Sequence, residues 1–125
     1  MGQRARLLLV EDDPMVLRAM KRFTERLGFH TVVAGDGATA LRALAEESFE
    51  LVLTDVHMRR PNGVDVAREA VTRDVAVIVM SGDMGASTTR ELADLGVAVL
   101  DKPLRPERLT ELLGSIALRS GQDPS

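Results

Sequence analysis

The chain has 125 residues, of which 45% are hydrophobic, enough for one domain with a core of its own and too few for two domains. It contains no cysteine, which excludes disulfides and thiolate metal sites and is typical of a cytoplasmic protein, and no apolar stretch is long enough to span a membrane. The net charge of −3, with acids and bases interspersed, disfavours direct binding to nucleic acid.

The first predicted strand, Leu7–Val10, is a short apolar run that leads directly into three acids at positions 11–13. Asp13 is a suitable N-cap for the helix that Pro14 opens. Apolar residues at helical spacing extend this helix to a stop at Gly28. These residues are Val16, Met20, Phe23 and Leu27. The strand therefore brings acidic side chains to the start of the first helix.

The third predicted strand carries the strongest candidate for a functional residue. It follows a second strand, Thr31–Ala34, and a second helix that runs through about Glu47 with an apolar stripe. The stripe consists of Leu41, Leu44 and Ala45. The third strand, Leu51–Asp55, is an apolar run that ends on a carboxylate, as expected of a strand buried in a parallel sheet. Ligands bind outside the carboxyl ends of such strands, although a simple turn cap is the alternative role for Asp55.

A loop over residues 56–63 leads to a third predicted helix, which begins near Gly63 and ends before Asp74. Its apolar stripe is short and consists of Val64, Ala67 and Val71. The β-branched run Val75–Met80 is the clearest strand in the sequence. That strand brings Ser81 to its carboxyl end.

The last predicted elements are a helix over Thr88–Leu95, a strand over Val97–Leu100 and a helix that opens at Pro106. The stripe of the final helix is Leu109, Leu112, Leu113 and Ile116. Lys102 comes shortly after the last strand, and residues 120–125 are predicted to be a disordered tail.

Five strands alternating with five helices predict an α/β fold over residues 1–119: a doubly wound, five-stranded parallel sheet with strand order 2-1-3-4-5. The topological switch point of such a sheet lies between strands one and three, and ligands bind there. The neighbouring strands four and five end at the same edge. The candidate site residues at this edge are Asp12, Asp13, Asp55, Ser81 and Lys102.

The crowding of carboxylates at this edge predicts a cation site, because the carboxylates would otherwise repel one another. Mg²⁺ is the natural candidate where only oxygen ligands are available. The alternative explanation for Asp12 and Asp13 is the ordinary enrichment of acids at a helix N-terminus. Lys102 is a compact charge suited to a phosphoryl oxygen, and Ser81 offers a hydroxyl that can bond a carboxylate or a phosphoryl group.

These strand-end motifs resemble the receiver domain of two-component response regulators, and the resemblance covers residues 7–118. The matching segments are residues 10–13, residues 53–58 with Gly63, residues 80–82 and residues 101–103. The resemblance implies a flavodoxin-like receiver fold. It also implies that Asp55 accepts a phosphoryl group from a histidine kinase or a histidine phosphotransfer protein, and that the domain signals by conformational change rather than by enzymatic turnover.

The resemblance also implies roles for the other residues at this edge. Four groups hold Mg²⁺, directly or through water: Asp12, Asp13, Asp55 and the backbone carbonyl of His57. Ser81 bonds the phosphoryl group, and Lys102 pairs with it. We expect His57 and Asp83, which follow Asp55 and Ser81 by two residues each, to lie at the mouth of the site and control water access.

Three features depart from the usual receiver pattern. Receivers usually carry Tyr or Phe three residues before the lysine, and this chain has Val99. They commonly carry Pro after the residue that matches Met58, and this chain has Arg59. The segment between Asp55 and Ser81 is also shorter than usual. These departures concern the signalling output rather than the phosphoacceptor chemistry.

The sequence leaves two other functions as alternatives to a receiver domain. The segment Gly35–Ala40 fits a G-x-G-x-x-A nucleotide-binding fingerprint, with Asp55 near the expected ribose-binding distance, but this function leaves Ser81 and Lys102 without a role. A Mg²⁺-dependent phosphatase with Asp55 as nucleophile needs a second acid or base, for which only His57 is near in the sequence.

Overall fold

Five parallel strands form one sheet in the order β2-β1-β3-β4-β5. The structure is a computed structural model that describes residues 4–82, 85–102 and 105–119, and it describes residues 116–119 by their backbone alone. The strands are β1 (Arg6–Val10), β2 (His30–Ala34), β3 (Leu51–Asp55), β4 (Ala76–Ser81) and β5 (Ala98–Asp101). The helices are α1 (Pro14–Arg26), α2 (Gly37–Glu46), α3 (Gly63–Thr72), α4 (Ala86–Leu95) and α5 (Pro106–Arg119). The predicted α/β fold and strand order are confirmed. No helix in the described ranges is long and apolar enough to cross a membrane.

The sheet is covered on both faces, and its central strand β3 is buried along its whole length. Successive strand residues face opposite sides, so Val52 packs in the hydrophobic cluster under α2, α3 and α4, whereas Leu53 packs in the cluster under α1 and α5. Both side chains are fully buried, and truncating a residue such as Leu53 to Ala would cost ~2–5 kcal/mol. Burial on both faces therefore fixes the position of the strand that ends on Asp55.

The strand register aligns the carboxyl ends of the strands at one edge of the sheet. Val10 of β1 lies opposite Thr54 of β3, so the residues that follow each of them emerge side by side. Ser81 of β4 lies opposite Asp101 of β5, one residue before Lys102. This alignment is the one that the predicted topology required.

Side-chain caps begin three of the helices. The predicted N-cap of α1, Asp13, is confirmed, since its carboxylate accepts from the N–H of Met15 at 2.9 Å. Asp36 caps α2 through the N–H of Thr39 at 2.7 Å. Asn62 caps α3 in a reciprocal capping box. Each cap fixes the chain direction immediately after a strand and its loop.

Helix α4 differs most from prediction, because it begins at Ala86, two residues before the expected start at Thr88. Its N-cap, Gly85, makes no side-chain capping bond, so the sequence carries no capping residue to mark this start. The other predicted ends lie within one residue of the observed ends, which is the usual variation between ways of defining an element's end. The predicted disordered tail, residues 120–125, lies outside the described residues.

Candidate functional site

Three carboxylates meet at the carboxyl ends of β1 and β3. Glu11, Asp12 and Asp55 each offer an oxygen, and these oxygens lie within 4.8 Å of one another. Glu11 and Asp55 are buried, whereas Asp12 is exposed. The three residues follow or end adjacent strands of the sheet, so the fold itself holds them together. An all-oxygen donor set of this kind suits a hard cation such as Mg²⁺.

Asp13 does not join these three carboxylates. Its Oδ1 accepts from the N–H of Met15 at 2.9 Å and lies 3.5 Å from the N–H of Val16, as the N-cap of α1. Of the acids that the sequence proposed as metal ligands, the structure therefore brings together Asp12 and Asp55. It adds Glu11, to which the sequence analysis gave no metal role. The N-cap position of Asp13 was the sequence signal that separates Asp13 from the other acids.

Glu11 is the most deeply buried member of the group, with 1% of its surface exposed. Its Oε2 accepts from the N–H of Asp12 at 3.0 Å, while its Oε1 is buried without a hydrogen-bond partner among the described residues. Burial, and then the charge of Asp55, raise the pKa of the Glu11 carboxyl to about 7, although Lys102 acts in the opposite direction. A buried carboxylate oxygen without a partner, beside two other carboxylates, fits a cation ligand.

Lys102 supplies the positive charge of the site. Its Nζ donates to Oδ2 of Asp55 at 2.9 Å and lies 3.7 Å from Oε1 of Glu11. Partial burial lowers the pKa of the Lys102 ammonium, but the hydrogen bond and charge of Asp55, with the charge of Glu11, outweigh burial and leave the pKa raised. The backbone N–H of Lys102 also donates to the carbonyl of Ser81 at 2.8 Å, which ties the end of β5 to the end of β4.

Both carboxylate oxygens of Asp55 are engaged. Oδ1 accepts from the backbone N–H of His57 at 3.1 Å, and Oδ2 accepts from Lys102. The Thr54 hydroxyl donates to the backbone carbonyl of Asp55 at 2.9 Å. Gly63 packs so closely that a Cβ atom there would overlap this same carbonyl. The carboxylate is thus held in one orientation, with 5% of the residue exposed.

Ser81 ends β4 beside Asp55 and is buried. Its Oγ lies 3.4 Å from Nε2 of His57, a long hydrogen bond. The sequence analysis expected His57 at the mouth of the site, and the structure shows it exposed there. The contact between its imidazole and Ser81 had no sequence signal, because it depends on how the loop after β3 folds over the end of β4. Asp83, expected at the same mouth, lies outside the described residues.

The glycine fingerprint at residues 35–40 has a packing explanation. A Cβ on Gly37 would overlap the backbone carbonyl of Pro61, so glycine allows the start of α2 to approach the loop after β3. Asp36 is exposed and caps α2. Val99, which replaces the usual aromatic residue, is partly exposed on β5.

The residues at this edge form an arrangement suited to phosphoryl chemistry. Asp55 offers a fixed carboxylate nucleophile, and the ammonium of Lys102 lies within hydrogen-bonding distance of it. The carboxylates of Glu11, Asp12 and Asp55, called the acidic group below, can together hold a cation. Phosphoryl transfer asks a protein mainly for positioning and for neutralisation of charge on the transferred group.

Comparison with known proteins identifies a family of signalling domains, the response regulator receiver domains. The chain matches the family model described as the response regulator receiver domain over residues 7–114. It is 33% identical over 117 residues to the transcriptional regulatory protein CpxR of Klebsiella pneumoniae, covering 92% of this chain and 50% of CpxR. It is also 33% identical over 101 residues to the response regulator receiver protein CpdR of Brucella abortus, covering 78% of this chain and 84% of CpdR. The chain thus spans only half the length of CpxR.

A solved structure shows the same fold over nearly the whole chain. A response regulator receiver domain protein from Clostridium thermocellum has a TM-score of 0.81 at 28% sequence identity. The match covers 94% of this chain and 97% of that one.

Proposed function

The chain belongs to the family of response regulator receiver domains, and on that premise we propose that Asp55 accepts a phosphoryl group from the phosphohistidine of a histidine kinase or a histidine phosphotransfer protein. Receiver domains are signalling domains, and the alternative functions, a phosphatase or a nucleotide-binding domain, find no support in the relatives. The proposal includes a cytoplasmic location, as the family resemblance implies. It includes no direct contact of this domain with nucleic acid, in keeping with the net charge of −3.

The observation that carries this proposal is the bond between Asp55 and Lys102 beside two further carboxylates. Oδ2 of Asp55 lies 2.9 Å from Nζ of Lys102, and oxygens of Glu11 and Asp12 lie within 4.8 Å of an oxygen of Asp55. A carboxylate oxygen of Asp55 would form the bond to phosphorus while the bond between phosphorus and the imidazole nitrogen breaks. Lys102 would then pair with a phosphoryl oxygen instead of with Asp55 alone.

We propose that the metal site consists of Glu11, Asp12, Asp55 and the backbone carbonyl of His57, with Mg²⁺ as the cation. The buried Oε1 of Glu11, which lacks a hydrogen-bond partner among the described residues, supports its inclusion. When bound, Mg²⁺ would neutralise charge on the carboxylates and on the incoming phosphoryl oxygens. Asp13 is left out of this set because its carboxylate caps α1.

We propose that the conformational response to phosphorylation of Asp55 begins at Ser81. Phosphorylation of Asp55 adds about two negative charges and new acceptor oxygens at the end of β3. The hydroxyl of Ser81 would donate to one of these oxygens and give up its long contact with His57, which is 3.4 Å in this structure. Movement of Ser81 would shift the segment that joins β4 to α4.

The proposal is tested with phosphoramidate, a small donor whose P–N bond resembles that of phosphohistidine. We expect Mg²⁺-dependent phosphorylation, mapped to Asp55 by peptide mass analysis, that is roughly a hundredfold slower in Lys102→Ala. Lys21→Ala is the matched control, since Lys21 is the only other lysine and forms a surface ion pair on α1. A phosphoryl group on any residue other than Asp55, or an equal effect of the two lysine variants, would contradict the proposal.

A further inference from the structure

A cavity of about 370 Å³ opens beside the three carboxylates. It is lined by Asp12, by residues 35–38 at the start of α2 and by residues 58–61 of the loop after β3. Asp12 belongs both to the cavity and to the acidic group, so the cavity adjoins the proposed phosphoacceptor site. A molecule that presents a phosphoryl group to Asp55 can place its other end in this cavity.

The walls of the cavity are held by backbone contacts. The start of α2 and the loop after β3 touch at Gly37, where a Cβ atom would overlap the carbonyl of Pro61. The Asp36 carboxylate is engaged by the N–H of Thr39 at 2.7 Å and serves as the cap of α2. The contact at Gly37 therefore fixes the positions of two backbone segments of the cavity wall relative to each other.

Two acids, Asp12 and Asp36, and two arginines line the cavity. Arg59 and Arg60 both line it, and both are exposed. Neither guanidinium forms an ion pair with any residue in the described part of the chain, unlike Arg68 on α3 and Arg73 at the C-cap of that helix. With Asp12 bound to a cation, and with the carboxylate of Asp36 engaged as the cap of α2, the two guanidinium groups leave the lining with one net positive charge. A cavity with this charge attracts an anion.

We propose that Arg59 and Arg60 stabilise an anionic leaving group, so that among small-molecule phosphodonors this receiver favours acyl phosphates over phosphoramidate. The inference rests on the proposed role of Asp55 as phosphoacceptor. It assigns to the arginine pair a role in donor specificity that is separate from metal binding and from Lys102.

The two donor classes differ in the charge of the group that leaves. With an acyl phosphate, an oxygen of Asp55 bonds to phosphorus, the P–O bond to the acyl group breaks, and the electron pair leaves on a carboxylate without need of a proton. With phosphoramidate, the P–N bond breaks and the electron pair stays on a nitrogen that is already protonated, so ammonia leaves uncharged. A guanidinium beside the leaving group therefore stabilises the transition state of transfer from an acyl phosphate but not that of transfer from phosphoramidate.

The test compares initial rates of phosphorylation with acetyl phosphate and with phosphoramidate in saturating Mg²⁺. In the double variant Arg59→Gln/Arg60→Gln we expect the acetyl phosphate rate to fall roughly tenfold and the phosphoramidate rate to change less than about twofold. The charge-matched control is Arg22→Gln/Arg26→Gln, two exposed residues of α1, which should leave the ratio of the two rates unchanged. The variant Arg59→Lys/Arg60→Lys should keep most of the preference because it keeps the charge.

A binding measurement complements the rates. Acetonylphosphonate, in which a CH₂ group replaces the bridging oxygen of acetyl phosphate, cannot transfer its phosphoryl group. In ¹⁵N-labelled protein it should shift the amide signals of residues 35–38 and 58–60, and the Gln double variant should lose these shifts. Equal loss of rate with both donors, or no loss with either, would overturn the arginine proposal while leaving Asp55 as phosphoacceptor. Failure of wild type to react with either donor would instead overturn the proposed function, and the arginine proposal with it.

Discussion

The carboxylates of Asp12 and Asp13 face different partners although the residues are adjacent in the chain. Asp12 joins Glu11 and Asp55 in the acidic group, whereas the carboxylate of Asp13 accepts from the N–H of Met15. A single side chain cannot serve fully as both an N-cap and a metal ligand. The two substitutions should therefore affect different properties of the protein.

We predict that Asp12→Ala weakens Mg²⁺ binding at least about tenfold, since it removes one of the few carboxylates available to the cation. Asp13→Ala should instead lower the free energy of unfolding by about 1 kcal/mol through loss of the α1 cap and leave Mg²⁺ affinity nearly unchanged. Calorimetric Mg²⁺ titration and urea unfolding of both variants measure the two effects. A larger loss of Mg²⁺ affinity in Asp13→Ala than in Asp12→Ala would return Asp13 to the metal site.

At the scale of the element, the cap of α2 predicts a pH dependence. The N–H of Thr39 lowers the pKa of the Asp36 carboxyl below its ordinary value of 3.8. Because the folded pKa is depressed, the cap contributes its full stability above 3.8 and loses it as the pH falls through the lower folded value. Asp36→Asn keeps a capping oxygen that does not titrate.

We therefore expect Asp36→Asn to lose less stability than wild type as the pH falls from neutral to about 3. Urea unfolding across this range measures the difference. Asp36→Ala, which has no cap at any pH, should be less stable than both proteins at neutral pH. Parallel pH profiles for wild type and Asp36→Asn would show that this cap does not contribute through the charge of Asp36.

The packing of α3 against the end of β3 predicts the effect of a single methyl group. A Cβ on Gly63 would overlap the carbonyl of Asp55 and lie 2.6 Å from Cα of Val56, and neither backbone atom can yield easily. Gly63→Ala should cost ~1–3 kcal/mol of stability and slow phosphorylation of Asp55. Gly114→Ala in α5 is the control, because nothing lies within 4 Å of its Cβ position and Gly114 lies outside the candidate site. Equal stability of the two variants would mean that α3 does not constrain Asp55.

Helix α4 is the element in which we expect the signal to be read out. Its N-cap, Gly85, makes no side-chain capping bond, and Val99 on β5 has no ring that could alternate between two positions. With beryllofluoride as phosphoryl analogue, amide shift changes should concentrate between Ser81 and Leu95. Changes centred on β5 and α5, with the segment after Ser81 unaltered, would show that another device on β5 replaces the missing aromatic residue.

At the scale of the whole molecule, the sequence predicted the features of the fold and of the site that depend on the order of strands and helices along the chain. Apolar runs such as Leu51–Leu53 identify strands, and their alternation with helices leaves few possible topologies. The topology in turn brings Asp12, Asp55, Ser81 and Lys102 to one edge. This part of the site follows from strand order alone.

Other features of the site depend on side-chain direction, which chain order does not specify. The sequence marks Asp13 as an N-cap, but only the structure shows that the side chain of Glu11 turns towards Asp12 and Asp55. The contact of His57 with Ser81 and the cavity at Arg59 depend on the paths of loops. The early start of α4 had no signal because its N-cap is a glycine.

The central claim is that Asp55 accepts a single phosphoryl group in a Mg²⁺-dependent reaction. The most direct measurement is intact mass after incubation with Mg²⁺ and a small phosphodonor, for wild type and for Asp55→Asn, each with and without a chelator. We predict the mass of one added phosphoryl group on wild type with Mg²⁺, and none on wild type with chelator or on Asp55→Asn. A phosphoryl mass on Asp55→Asn, gained at the wild-type rate, would contradict the assignment of Asp55 on which the proposed function depends.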